Sequence, residues 1–185
     1  MKDIKLLILI FLIVSCPIKL SATDYLIDQL QDGGKIVMIR HAYAPGSGDP
    51  NNFSIKDCST QRNLSKNGIL QSKMIGKFFR ENQIPIDIVL TSEWCRCKDT
   101  AFHAFKNFET NSFLNSFYDP RFQKNKNGQI RKFKKYINKW QGKKNLILIT
   151  HYVVISEIFN VSPISGEMII SDIEFNVIGK LKNQL

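Results

Sequence analysis

The chain has 185 residues, of which 43% are hydrophobic and 23% are charged, and its formal net charge is +10. This composition excludes an intrinsically disordered protein and a bundle of membrane-spanning helices. The excess of basic residues favours anionic partners such as phosphorylated substrates, lipid headgroups or nucleic acid, and a solvated basic face without a specific role explains it equally well.

The first 22 residues have the pattern of a secretory signal peptide. A basic start precedes an apolar run at 6–14. That run is shorter than the roughly 20 residues of a transmembrane helix and fits the core of a signal peptide. Two endings are open, a lipoprotein-like box at Cys16 and cleavage after Ala22. We favour cleavage, which predicts a periplasmic or otherwise exported protein with one domain at 23–185. We expect membrane association only if Cys16 is lipidated.

Strands and helices alternate along the rest of the chain. Apolar β-branched runs predict the strands, and apolar residues at steps of three and four predict the helices. The predicted elements are a strand at 35–40, a loop at 44–52, a helix at 65–82, a strand at 87–91, a helix at 92–107, an amphipathic helix within 123–144, a strand at 145–150, a helix at 153–159 and closing strands at 169–170 and 175–178. This alternation predicts an α/β fold of three layers, with a largely parallel central sheet and helices on both faces.

Three cysteines, Cys58, Cys95 and Cys97, follow the signal segment. In an oxidising compartment we expect one disulfide, from Cys58 to either Cys95 or Cys97, with one thiol left over. No Cys/His pair at ligand spacing supplies the four ligands of a structural zinc, so we predict no metal site.

Polar residues follow three of the predicted strands. Arg40 and His41 end the first strand, and His151 follows the strand at 145–150. Ser92 follows the strand at 87–91, with Arg96 in the opening turns of the next helix. Because ligands of open α/β sheets bind outside the carboxyl ends of the strands, we expect these residues to meet at one edge.

This set of residues suits phosphoryl chemistry. The guanidinium groups of Arg40 and Arg96 match the oxygens of a phosphoryl group, and a neutral imidazole is a competent nucleophile near pH 7. Each residue alone also has an ordinary structural explanation. His103 lies within a predicted helix without a partner motif, and we assign it no role. Two of the chain's three histidines, however, end apolar strands, and one of them directly follows an arginine. This combination favours a functional site over separate structural roles.

At these residues the chain resembles the histidine phosphatase superfamily, which has the phosphoglycerate-mutase-like fold. The segment at 37–42 (VMIRHA) is similar to the family's Arg-His-Gly motif, with Ala42 in place of the glycine. The segment at 92–101 (SEWCRCKDTA) is similar to its Ser-x-x-x-Arg-x-x-x-Thr-Ala element, and Thr150-His151 to its second histidine. The segments at 57–65 (DCSTQRNLS) and 165–167 (SGE) resemble an exported bacterial branch, some of whose members are described as lipopolysaccharide core heptose phosphate phosphatases.

The resemblance implies a two-step reaction that needs no metal or organic cofactor. His41 attacks phosphorus to form a phosphohistidine, while Arg40, Arg96 and His151 hold the phosphoryl oxygens. A carboxylic acid protonates the leaving oxygen, and water then releases phosphate.

The identity of the acid is open. Tyr152 stands where the acid phosphatase branch has an aspartate. The candidates are Glu167 and Asp119, since Glu93 is explained as an acidic residue at a helix start. Substrate-binding candidates at the pocket mouth are Arg62 and Asn63, beside Gln61.

The leading hypothesis is therefore an exported phosphomonoesterase acting through His41. Its substrate is expected to be small or a glycolipid, such as a phosphorylated envelope sugar, with no nucleic-acid partner. The alternative is a catalytically weak or inactive phosphate-binding protein of the envelope. A basic nucleic-acid-binding module is a third possibility, and it rests only on the lysine-rich helix.

Overall fold

The structure of the protein is a computed structural model that describes residues 21–182. Six strands form one sheet, and six α-helices cover it. The strands are β1 (Ile36–Arg40), β2 (Ile86–Thr91), β3 (Glu109–Thr110), β4 (Asn145–Thr150), β5 (Met168–Ser171) and β6 (Val177–Leu181). The helices are α1 (Ala22–Asp32), α2 (Lys66–Glu81), α3 (Cys95–Phe105), α4 (Pro120–Gln123), α5 (Lys126–Ile137) and α6 (Tyr152–Phe159), with short 3-10 turns at Cys58–Thr60 and Ser112–Leu114. No helix within residues 21–182 is long and apolar enough to cross a bilayer.

The sheet has the strand order β3-β2-β4-β1-β5-β6. The first four of these strands run parallel, whereas β5 is antiparallel to β1, and β6 is antiparallel to β5. Helices cover both faces of the sheet, so the predicted three-layer fold with a largely parallel sheet is confirmed.

The strand alternation divides the core between the two faces. Val37 and Ile39 of β1 pack in one cluster with α1, α2 and α3, while Ile36 and Met38 pack in the other with α5 and α6. Successive side chains of a strand point to opposite faces. Because both faces of β1 and β4 are buried, these strands are uninterrupted apolar runs, which made them easy to predict.

Helix α1 was not predicted, and it begins where the signal segment was expected to end. Ser21 caps the helix, accepting from the backbone N–H of Asp24, whose carboxylate accepts from Ser21 in return. This reciprocal pair satisfies two backbone donors of the first turn. Leu30 of α1 is fully buried. Residues 1–20, including Cys16, lie outside the described residues, and cleavage after Ala22 stays a prediction.

Other elements differ from the predictions mainly at their ends. The helix expected from Ser92 begins at Cys95, because the Ser92 N–H still bonds to the sheet at the Ile149 carbonyl, at 2.9 Å. The strand expected at 175–178 begins at Val177, because Phe175 lies in a turn with φ of 68°. The two-residue edge strand β3 was also missed.

A disulfide joins Cys58 to Cys95, and Cys97 is a buried free thiol. The sequence left both pairings open, and the structure selects the first. The bond ties the 3-10 turn before Gln61 to the first residue of α3. The side-chain oxygen of Gln61 also accepts from the backbone N–H of Cys95, at 3.0 Å, so two links hold these segments together.

Two helical glycines give a matched test of packing. A Cβ on Gly76 of α2 would overlap the Ala104 carbonyl of α3, whereas a Cβ on Gly128 of α5 would meet open space. We expect Gly76→Ala to lower the free energy of unfolding by about 1–3 kcal/mol, because α2 and α3 must move apart. Gly128→Ala should raise it by about 0.5–1 kcal/mol through helix propensity. Urea denaturation of both variants measures the difference, and equal effects would contradict the close approach of α2 to α3.

Candidate active site

A cavity of about 210 Å³ opens at the carboxyl ends of the parallel strands. It contains the Arg-His pair, both further arginines and the second histidine, with a loop of glycines on one side. Its lining residues are Arg40, His41, Gly46, Ser47, Gly48, Asp49, Phe53, Arg62, Trp94, Arg96, Ser116, Tyr118, Asp119, Pro120, His151 and Tyr152. A larger cavity of about 700 Å³ between α2, α3 and the β2 edge contains none of the predicted site residues.

His41 is placed by the pairing of β1 with β4. Arg40 lies opposite Thr150 in the parallel register, and the His41 N–H donates to the Thr150 carbonyl at 2.9 Å. The Nδ1 atom of His41 lies 2.8 Å from the carbonyl oxygen of Ala42. A carbonyl only accepts, so Nδ1 must hold the proton, and Nε2 keeps its lone pair. The backbone thus fixes the tautomer that a nucleophilic histidine needs.

The surroundings of His41 keep its ring neutral. Burial is the main cause that lowers its pKa well below 6.5, and the positive charge of Arg96 lowers it further. The hydrogen bond to Ala42 acts in the opposite direction and is outweighed. At neutral pH the ring is therefore unprotonated at Nε2.

The second histidine is fixed by a chain of side-chain hydrogen bonds. The Glu93 N–H donates to Asn115 Oδ1 at 2.9 Å, which orients the amide, and Asn115 Nδ2 donates to the Glu93 carboxylate. The Ser92 hydroxyl donates to Asn115 Oδ1 at 3.1 Å. Ser92 Oγ must therefore accept from His151 Nε2, 2.9 Å away.

The free nitrogen of His151, Nδ1, lies 3.4 Å from a terminal nitrogen of Arg96. Burial and then the charge of Arg96 lower the pKa of His151 well below 6.5. The rings of His41 and His151 are 5.5 Å apart between centroids. In this tautomer Nδ1 of His151 has a lone pair and no proton, so holding a phosphoryl oxygen, the role expected for His151, would require protonation of the ring.

Two arginines of the cavity have unused donors. Arg40 Nε and Arg96 Nε are buried without a hydrogen-bond partner among the described residues. Burying an unsatisfied charged donor is costly. Both guanidinium groups belong to residues that line the cavity, and their positive charge favours an oxyanion there. Two other hydrogen bonds hold Arg40 in place. Its side-chain Nη1 donates to the Pro163 carbonyl at 2.9 Å, and its backbone N–H donates to the Glu167 carbonyl at 3.1 Å.

Asp49 is a site residue that sequence reasoning missed. Its carboxylate forms a buried ion pair with Arg96 at 2.7 Å. It also accepts from Trp94 Nε1 and from the backbone N–H of Arg62, both at 3.1 Å. The only sequence signal was an acidic residue inside a glycine- and proline-rich loop, where such a residue is common for reasons of turn geometry alone.

Arg62 lines the cavity, whereas Asn63 does not. The Arg62 guanidinium donates to the carbonyls of Gly48 and Ala44, so it holds the glycine loop against the cavity. Asn63 Nδ2 donates to the Cys58 carbonyl at 2.6 Å, which closes its own loop.

The two candidate acids differ in their position relative to the cavity. Glu167 does not line the cavity, and its Oε2 accepts from the Ile164 N–H at 2.8 Å. Asp119 lines the cavity, but hydrogen bonds and the charge of Arg121, 2.9 Å away, hold its pKa below the usual range. Glu93 does not line the cavity either, and its carboxylate accepts from Asn115 Nδ2. No group of three His, Cys, Asp or Glu side chains is placed to hold a metal ion among residues 21–182.

The fold is shared with several solved structures, one of which is a protein histidine phosphatase. A structure of the protein histidine phosphatase SixA complexed with tungstate superimposes with a TM-score of 0.55 at 16% identity, over 80% of this chain and 97% of that one. The protein TTHB049 of Thermus thermophilus matches with a TM-score of 0.57 at 12% identity, over 80% and 99%. Rv3214 from Mycobacterium tuberculosis matches with a TM-score of 0.54 at 13% identity, over 74% and 89%.

No protein-family model and no curated protein matches the sequence. The phosphoglycerate-mutase-like fold expected from the sequence motifs is thus confirmed by structure, at an identity too low for a sequence comparison to detect.

The assigned tautomers can be tested by ¹⁵N NMR of the three histidines. In the folded chain His41 should have its proton on Nδ1 and His151 on Nε2. Both rings should stay neutral as the pH falls through 6.5, because burial and the charge of Arg96 lower their pKa values well below that ordinary value. In urea both should protonate near 6.5. The unfolded chain then binds more protons, so the free energy of unfolding should fall as the pH drops below about 6.5. Protonation of either folded ring near pH 6.5 would contradict the assignment.

Proposed function

We propose that the protein is a phosphatase that transfers a phosphoryl group from its substrate to His41 Nε2 and then to water. The observation that supports this most is the tautomer of His41, whose Nδ1 is tied to the Ala42 carbonyl and whose Nε2 stays free. Binding a phosphate would not require a buried, neutral histidine with an oriented lone pair beside three arginines. Nucleophilic attack does require one.

The first step is in-line displacement at phosphorus. The Nε2–P bond forms while the bond from phosphorus to the leaving oxygen or nitrogen breaks. Arg40, Arg62 and Arg96 line the cavity, and their guanidinium groups supply donors and positive charge to the phosphoryl oxygens. Donors arranged in advance around developing charge are the strongest source of stabilisation in such reactions.

The second step is the attack of water on the phosphohistidine, which releases inorganic phosphate and restores the neutral ring of His41. His151 has Nδ1 on the Arg96 side of its ring and no proton there. It therefore accepts a hydrogen bond from Arg96 or from a water in the cavity. The proton on the opposite nitrogen is held by Ser92.

Both carboxylates that line the cavity are paired with arginines, Asp49 with Arg96 and Asp119 with Arg121. An ionised carboxylate has no proton to give to a leaving group. We infer a preference for substrates whose leaving group departs without a proton from the enzyme, such as an aryl oxygen or an imidazole whose other nitrogen already carries a proton. A phosphoryl group on imidazole is the bond that a protein histidine phosphatase cleaves, the activity named for SixA.

We further propose that the protein is exported and that its natural substrate is a phosphorylated sugar or glycolipid of the envelope. A sugar oxygen leaves as an alkoxide, so this site would hydrolyse such a substrate more slowly than an aryl phosphate. The apolar segment at 6–14 and the similarity of 57–65 and 165–167 to an exported branch support this proposal. The disulfide between Cys58 and Cys95 is consistent with an oxidising compartment.

The second candidate function is a phosphate-binding protein of the envelope with little or no turnover. The pairing of both lining carboxylates favours it, because such a site has no evident acid. Both candidates predict oxyanion binding, and only the first predicts a covalent phosphohistidine.

The deciding experiment is hydrolysis of a chromogenic aryl phosphate in the presence of a chelator. Wild type should turn over, and His41→Ala should lose activity to background, because no other side chain of the cavity replaces the nucleophile. Arg96→Ala should lower kcat by about 10²–10³. His103→Ala, which alters a histidine outside the cavity, is the matched control and should behave as wild type. A folded wild type that binds phosphate without hydrolysis would favour the second candidate.

A series of substituted phenyl phosphates tests the absence of an acid. Without protonation of the leaving oxygen, the rate of the first step should fall steeply as the pKa of the phenol rises. Alkyl phosphates should then be the poorest substrates. A rate nearly independent of the phenol would show that some group in the cavity donates a proton.

A further inference from the structure

Two tyrosines stand at the mouth of the cavity that contains His41. Tyr118 and Tyr152 both line it, and their ring centroids are 5.9 Å apart. Tyr118 is 48% exposed, although a large aromatic side chain usually packs into a core when one is available. Tyr152 is half-buried, and the two rings are tilted by 59° to each other. The pair therefore offers two separate aromatic faces to a group that enters this polar cavity.

The tyrosine pair lies next to the position of the phosphoryl group. Tyr152 directly follows His151, and the Arg40 guanidinium lies over its ring, 5.4 Å from the centroid. The same arginine lines the cavity beside His41 and supplies positive charge to the phosphoryl group. A group attached directly to the phosphoryl oxygens therefore comes into reach of the tyrosine rings.

One side of the cavity is a loop of small residues. Gly46, Ser47 and Gly48 line the same cavity and contribute no bulky side chain. A Cβ built on Gly48 would lie 3.9 Å from Tyr118 Cε1, so the loop backbone comes close to the tyrosine. Both glycines have positive φ, of 87° and 66°, which favours glycine at each of them.

We propose that Tyr118 and Tyr152 form a subsite for a six-membered ring that is attached to the phosphate of the substrate. This rests on the proposed function, and it narrows the substrate class to ring-bearing phosphates. Two kinds of ring present the required flat, weakly polar face, an aromatic ring and the pyranose ring of a sugar. Aromatic side chains gain most when they pack face or edge against such a surface.

The test compares three competitive inhibitors that resist hydrolysis. Methylphosphonate has no ring, phenylphosphonate has an aromatic ring, and a pyranosylmethylphosphonate has a sugar ring. In the full chain at least one ring compound should bind about 3- to 10-fold more tightly than methylphosphonate. Preference for phenyl identifies an aromatic substrate, and preference for pyranose identifies a sugar phosphate. Either result supports the subsite.

Substitutions of the two tyrosines test whether they cause the preference for ring-bearing phosphonates over methylphosphonate. Tyr118→Ala and Tyr152→Leu should each reduce it, while methylphosphonate keeps its affinity. Tyr118→Phe, which retains the ring, should retain the preference. Tyr43→Ala is the matched control, because Tyr43 is similarly exposed, at 45%, and does not line the cavity.

Any one of three results would overturn the subsite. The first is that the three inhibitors bind equally well to wild type. The second is that the preference for a ring survives in both Tyr118→Ala and Tyr152→Leu, and the third is that Tyr43→Ala removes this preference as fully as the two tyrosine variants do. Failure of the proposed function has a different outcome, in which methylphosphonate itself does not bind to wild type and aryl phosphates are not hydrolysed.

Discussion

The site depends on the parallel pairing of β1 with β4. That pairing sets Arg40 opposite Thr150, and the bond from the His41 N–H to the Thr150 carbonyl continues the ladder by one residue past the strand. Both histidines consequently leave the sheet at the same level. A shift of one residue in this register would turn every buried side chain of β1 to the opposite face, so the core that stabilises the strands also fixes the distance between the rings.

Hydrogen bonds to groups of fixed polarity then determine the protonation state of each ring. A carbonyl oxygen accepts only, which leaves His41 with a free Nε2. The Ser92 hydroxyl has given its one proton to Asn115, which leaves it as an acceptor for His151. Burial and the nearby arginines disfavour a second proton on either ring. The nucleophilic role proposed for His41 therefore depends on the backbone and neighbouring side chains as well as on the histidine itself.

The sequence predicted the parts of the site that follow from strand periodicity. Arg40, His41, Arg96 and His151 stand at the ends of apolar runs or in the first turn of a helix, where topology determines position. Asp49 and Asn63 lie in loops, where the direction of a side chain depends on tertiary contacts that no local pattern encodes. Glu167 directly precedes β5, and its carboxylate is used to bond its own loop at Ile164. Helix α1 was missed because its capping residue, Ser21, falls inside a segment that resembles a signal peptide.

Charge balance explains why the cavity contains a buried carboxylate. Three arginines, Arg40, Arg62 and Arg96, line it, and an uncompensated buried guanidinium is strongly destabilising. Asp49 offsets one of these charges while it fixes one terminal nitrogen of Arg96, and the Nε atoms of Arg40 and Arg96 stay unsatisfied. Full compensation by a second carboxylate would remove the excess positive charge of the cavity. The partial compensation observed leaves the cavity cationic, which suits the phosphorylated substrate proposed above.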